Sequence, residues 1–145
     1  MLCIDNKETQ DVRVLRVDAD DKKLPEVLEF VDTLLEENNC SMKVQMQIDI
    51  SLEELFVNIA HYAYPEKNGW AEIRAKIEDG SIVITLVDGG RPYDPLAKPD
   101  PDITLGVEDR QIGGLGIFIS KKQMDEIKYS YTDGHNVLTM KKKIC

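Results

Sequence analysis

Three short stretches carry residue types whose spacing could do chemistry. The first is SLEELFVNIAHYAYP, residues 51–65. Read as a helix, it sets Glu54 and Asn58 one turn apart, a carboxylate beside an amide oxygen. Hard oxygen ligands of this kind suit Mg2+, and the pair can orient a nucleophile or take its proton. Plainer roles are open to both: Glu54 follows Ser51 by three residues, the spacing of a capping box, and Asn58 can be a solvated amide. The second stretch is VDGGRPYDP, residues 87–95. Asp88 ends an apolar strand run and can accept a hydrogen bond from a ligand amine, while Gly90 would let a flat ligand lie against the backbone. A turn after a strand is the plainer account. The third is IGGLGIFIS, residues 112–120. Glycine-rich backbone that includes Gly114 and Gly116 runs into a helix N-terminus, where N–H groups and the helix dipole favour an anion. A hinge would use the same glycines.

Other chemistries find less support. GxxxxGK[ST] is absent, and GGLG follows a long loop rather than the strand that a dinucleotide fingerprint requires. His61 and His135 have no metal-ligand spacing with each other or with the cysteines. No Ser-His-Asp or Cys-His arrangement assembles.

These residues need elements to hold them. Val12, Val14, Leu15 and Val17 predict a first strand. Residues 24–38 predict a helix, with Pro25 near its start and Asn38-Asn39 at its end. Val44, Met46, Ile48 and Ile50 alternate with polar residues and predict a half-buried strand. Ser51 then opens a second helix that ends before Pro65. On it Leu52, Leu55, Phe56, Ile59 and Ala63 share one face, and Glu54, Asn58 and His61 the opposite one. Residues 70–78 and 81–88 predict a hairpin turning at Asp79-Gly80. Residues 91–112 form a long Pro- and Asp-rich loop of the sort that serves as a lid. A third helix follows from Gly113 through about Ile127, and a second hairpin turns at Asp133-Gly134 between Lys128–Tyr131 and Val137–Lys142. The order predicts an α+β fold: a two-layer α/β sandwich with a mixed, mostly antiparallel sheet covered on one face by three helices. The whole chain, 1–145, is expected to form a single domain.

Composition bounds the function. The 145 residues are 42% hydrophobic and 31% charged, ordinary for a globular protein. A net charge of −9 argues against nucleic acid or anionic lipid as a partner, because phosphate contacts come from clustered Lys and Arg. No apolar run is long enough to span a membrane, and the N-terminal residues lack the pattern of a secretory signal. Cys3, Cys40 and Cys145 fit neither a metal site nor a disulfide framework, so a reducing cytoplasm is the expected setting.

Taken in order, Glu54-x-x-x-Asn58, then Asp88-x-Gly90-x-Pro92-Tyr93-Asp94-Pro95, then a long loop ending Arg110-Gln111-Ile112-Gly113-Gly114-Leu115-Gly116, resembles the GHKL (Bergerat-fold) ATPases. Within them the chain is most similar to the stand-alone anti-sigma-factor serine/threonine kinases. The resemblance implies ATP and Mg2+ as cofactors. It implies that Asp88 receives the adenine amino group and that Gly90 lies against the base. Asn58 would hold the magnesium ion, and Gly114, Gly116 and Arg110 would meet the phosphates beneath a lid at 91–112. Glu54 would be the general base toward a serine of an anti-anti-sigma (STAS-domain) partner, with a sigma factor as the regulated protein and a homodimer as the possible assembly. The alternative is a non-catalytic, nucleotide-gated module that sequesters a protein. Two positions depart from the family pattern. Tyr62 stands where many relatives carry His, and Gly134 is followed by His135 where they often carry Thr.

Overall fold

The computed structural model describes residues 11–66, 68–97 and 115–144. Its elements, in chain order, are β1 (Arg13–Asp18), α1 (Leu24–Glu37), α2 (Met42–Asn58), β2 (Trp70–Glu78), β3 (Ser81–Asp88), α3 (Leu115–Gln123), β4 (Glu126–Thr132) and β5 (His135–Lys143). The strands form a five-stranded sheet in the order β1-β2-β3-β5-β4, and each neighbouring pair is antiparallel.

Both hairpins form where the sequence places them. Asp79 and Gly80 have φ of 51° and 77°, and Asp133 and Gly134 have 54° and 79°. Two consecutive left-handed residues suit the twist of a tight hairpin, and Asp-Gly is the pair that adopts them most readily. Strand periodicity then sends Ala71, Ile73, Ala75 and Ile77 of β2, with Ile82, Ile84 and Leu86 of β3, to one buried face. Val27, Val31, Leu34 and Leu35 of α1 and Ile48, Leu52, Leu55 and Phe56 of α2 close the core against them. α2 packs against both α1 and α3.

α1 forms as expected, with Pro25 in its first turn. Asn38 caps the other end by donating from Nδ2 to the Leu34 carbonyl at 2.8 Å, and Asn39 turns the chain with a φ of 58°.

The expected strand at 43–50 is wrong: these residues are the first half of α2. The N-cap is Ser41, whose hydroxyl accepts from Val44 N at 3.2 Å. Ser51 therefore lies mid-helix, fully buried, and its Oγ has no partner among the described residues. No capping box forms, and Glu54 is not a capping residue. The alternation misleads because α2 is apolar on both of its faces. Ile48 is buried, while Met46 and Ile50 are 57% and 44% exposed. With that strand removed, the sheet is antiparallel throughout the described residues rather than mixed. α3 also stops at Gln123, short of the expected Ile127, which belongs to β4. Among the described residues, no helix is long and apolar enough to cross a membrane.

Candidate functional site

β3 carries Asp88 to the edge of the core, beside the last turn of α2. There Asp88 and Asn58 line one cavity of about 30 Å³, together with Leu55, Ile59, Ala63, Leu86, Leu138, Tyr93 and Pro95. Asp88 is only 3% exposed. Its Oδ1 accepts from Gly90 N at 2.9 Å and from Asn136 Nδ2 at 2.8 Å. Burial pushes the carboxyl above the usual carboxylate range, and those two donors partly offset the rise.

Asn136 stands opposite Asp88 in the β3–β5 register. Its Nδ2 also reaches the Arg91 carbonyl at 2.8 Å. Its Oδ1 accepts from Tyr93 N at 3.1 Å and from the Tyr129 hydroxyl. One buried amide thus joins the strand-end carboxylate, the loop after it and β4. The sequence reading missed Asn136. It falls just before the predicted strand Val137–Lys142, which in the structure begins two residues earlier at His135, so nothing in its local sequence marked it as part of the site.

Asn58 is the last residue of α2, buried, with an Nδ2 that finds no partner among the described residues. Glu54 lies one turn earlier, half-buried, and is not among the residues lining the cavity. After Asn58 the helix widens into a π-turn, Ile59–Ala63. The extra residue per turn breaks the 100° register. The expected shared face of Glu54, Asn58 and His61 is therefore split: Asn58 turns into the cavity, and His61 lies at the surface against Asp21 at 3.2 Å.

The π-turn is also what the Asp-Gly-Gly turn packs on. Arg91 N donates to the Ala63 carbonyl at 2.8 Å, and Arg91 Nε to the Tyr62 carbonyl at 2.9 Å. A Cβ at Gly90 would lie 2.2 Å from the Ala63 oxygen, so protein backbone already demands glycine there. Tyr64 fixes the neighbouring peptide, its hydroxyl accepting from Gly89 N at 2.7 Å and donating to the Trp70 carbonyl at 2.6 Å.

Of the candidate residues, the structure brings Asn58 and Asp88 together, with Gly90 beside them and Glu54 one turn away. Gly116 falls in the first turn of α3. Arg110, Gly114 and residues 98–112 of the expected lid lie outside the described residues, as do Cys3 and Cys145. Cys40 is a half-buried free thiol.

The donor set fits a nucleotide base and a shared metal. The walls are apolar and suit a planar ring. The Asp88 carboxylate, fixed through Oδ1, is an acceptor for an exocyclic amine. No group of three or more His, Cys, Asp or Glu among the described residues could hold a metal alone. A single amide such as Asn58 fits Mg2+ only as a complex with phosphates, the usual mode for this ion.

The family model of the histidine kinase-like ATPase domain matches residues 17–142. A serine/threonine-protein kinase, BtrW, of Bordetella bronchiseptica is 24% identical over 101 residues, 69% of this chain and 71% of that protein. An anti-sigma F factor of Caldanaerobacter subterraneus is 30% identical over 92 residues, 63% of this chain and 64% of that protein. The serine-protein kinase RsbW of Listeria monocytogenes is 25% identical, with 65% of this chain and 63% of that protein aligned. The match thus spans somewhat less than two thirds of the last two relatives. The crystal structure of the RsbU and RsbW domains of a Mycobacterium tuberculosis protein superposes with a TM-score of 0.65 at 14% identity, covering 93% of this chain and 33% of that one. That likeness bears on the fold, and it agrees with helices laid on one face of an antiparallel sheet. The family match runs from β1 to β5 and takes in both Asn58 and Asp88, so this chain belongs to the histidine kinase-like ATPase domain family.

Proposed function

We propose that the chain is an ATP-binding serine/threonine protein kinase of the anti-sigma-factor type. It would phosphorylate a serine of an anti-anti-sigma (STAS-domain) partner and regulate transcription through a sigma factor, in the cytoplasm and as a homodimer. The observation that carries the reading is the buried pairing of Asp88, its Oδ1 pinned by Gly90 and Asn136, with an Asn58 whose Nδ2 has no partner among the described residues, in the same cavity. A buried polar atom without a partner costs about 1–3 kcal/mol, and a ligand oxygen that accepts from Nδ2 offsets it.

In this reading Asp88 holds the adenine amino group, and Gly90 stays close to the base. Asn58 holds Mg2+ through its amide oxygen, while Gly114, Gly116 and Arg110 meet the phosphates. Bound Mg-ATP supplies the phosphoryl group with its charge partly neutralised, and the protein mostly positions it. Glu54 takes the proton of the attacking serine. The place of Glu54 outside the cavity lining favours one second reading, a nucleotide-gated module that sequesters a protein without phosphorylating it.

Two measurements test these readings. Mg-ADP at a hundred times its dissociation constant stabilises by about 2.7 kcal/mol, a rise in Tm of roughly 5–10 °C at this size. Asn58→Ala should lose most of that rise while the unliganded Tm holds. No rise in the parent chain would remove the nucleotide site from the reading. With binding in hand, transfer of label from Mg-ATP to a cognate STAS-domain protein, lost in Glu54→Gln, supports the kinase. Binding without transfer selects the sequestering module.

A further inference from the structure

α2 buries Ile48, Leu52, Leu55 and Phe56 against the sheet, yet its opposite face is apolar too. Met42, Met46 and Ile50 follow one another at i, i+4 and i+8 and are 73%, 57% and 44% exposed. Val57, half-buried, falls on the same line, with exposed Glu53 between it and Ile50. A surface helix ordinarily shows charge on this side. From Met42 to Ile50 the stripe is about 12 Å long, and to Val57 about 22 Å, at 1.5 Å per residue. That is the length and spacing with which one helix grips another, and methionine is the side chain that best adapts to a partner's relief.

The surroundings decide what could cover it. α1 and α2 together carry eight acidic residues and a single basic residue, Lys43; Glu37 is paired with Arg13 of β1, and Asp49 lies against Asp32 in the seam between the helices. A second copy of the chain docked stripe to stripe would set one acidic rim against another, and an anionic membrane would be repelled in the same way. A helix with a basic flank gains from both the stripe and the rim.

We propose that the outward face of α2 is a docking surface for an amphipathic helix of a partner protein, with apolar residues set on Met42, Met46 and Ile50 and Lys or Arg facing the carboxylates of α1 and α2. This surface is independent of the nucleotide reading and stands or falls without it.

The test uses the full chain and a labelled model peptide of about four helical turns, Leu on one face and Lys on the other. A companion peptide carries Glu in place of Lys. Fluorescence anisotropy at low salt reads binding to the parent chain and to Met46→Ser/Ile50→Ser, which leaves the charge unchanged and alters only exposed side chains. Circular dichroism checks that the fold is retained. The expected result is saturable binding of the Lys peptide, weakened about tenfold in the double variant because two apolar side chains no longer bury their surface, and no binding of the Glu peptide. Equal binding to the parent and the double variant would reduce the effect to bulk charge and overturn the proposal. Equal binding of the Glu peptide would remove the basic partner. A parent chain that sediments as a dimer, made monomeric by the double variant, would assign the stripe to a second copy. Binding that emerges only after deletion of residues 1–10 or 98–112 would assign it to the chain's own segments.

Discussion

At the scale of single residues, the cavity separates groups that hold the protein together from groups that face a ligand. Asp88 is both: Oδ1 is bound by Gly90 and Asn136, and the rest of the carboxylate is left for the cavity. Asp88→Asn keeps the shape and the Oδ1 acceptor but puts an amide donor where the ligand amine would donate. A hydrogen bond to a charged group contributes about 1.5–3 kcal/mol, so ADP affinity by calorimetry should fall roughly ten- to hundredfold while Tm holds or rises, because a buried carboxylate has been neutralised. A fall in Tm with unchanged affinity would make Asp88 a purely structural residue. Asn136→Ala should do the reverse. It removes the donor to the Arg91 carbonyl and the acceptor of the Tyr129 hydroxyl, leaves Tyr93 N only its 3.2 Å bond to that hydroxyl, and should cost about 2–3 kcal/mol of stability, a Tm drop of roughly 4–12 °C. Because the same amide ties the loop root to the sheet, residues 91–95 should lose amide protection in hydrogen exchange before the strands do.

At the scale of elements, the start of α2 makes the sharpest prediction. Ser41→Ala removes the cap and should cost about 1 kcal/mol. Ser51→Ala removes a buried hydroxyl without a partner and should be neutral or stabilising. Melting curves with the opposite order would restore a helix beginning at Ser51. The elements written in local chemistry were legible in the sequence: Asp-Gly pairs for both hairpins, Pro25 and Asn38-Asn39 for α1. α2 was not, because a second apolar face gives a helix the two-residue alternation of a strand, and only the partner of that face would reveal the difference. The candidate site divides in the same way. Asp88 stood out as a carboxylate ending an apolar strand, and Asn58 as an amide one turn from Glu54 on the polar face of a predicted helix. Asn136 reaches them through strand pairing across 48 residues of chain, and a contact of that span leaves no local mark. The π-turn, which takes His61 off the face of Glu54 and Asn58, has no local signature either.

At the scale of the whole molecule, the −9 charge is unevenly spread, and the seam between α1 and α2 bears the consequence. Asp49 of α2 is pushed up to about 8, first by burial, then by the neighbouring carboxyl of Asp32 on α1 and by the charge of Glu36. In the unfolded chain an aspartate ionises near 4. Between about pH 4 and 8 the native chain therefore holds a proton that the unfolded chain has released. Stability is fully present at the acid end of that window and falls as pH rises through it. Asp88, raised by burial, acts in the same direction. The pairs Arg13–Glu37 and His61–Asp21 hold their carboxyls low and act oppositely, but they are exposed and weigh little. Discounted for its half-exposure, Asp49 should contribute about 1–2 kcal/mol, so Tm should drop by roughly 2–8 °C between pH 5.5 and 8.5. General repulsion among carboxylates would give a drop of the same sign, and Asp49→Asn distinguishes the two causes. The amide is of the same size and carries no titrating proton, so the variant should melt higher than the parent at pH 8.5, differ little at pH 5.5, and show a flattened slope. A slope that survives the substitution would place the pH dependence in the net charge of the molecule rather than in the seam between its two acidic helices.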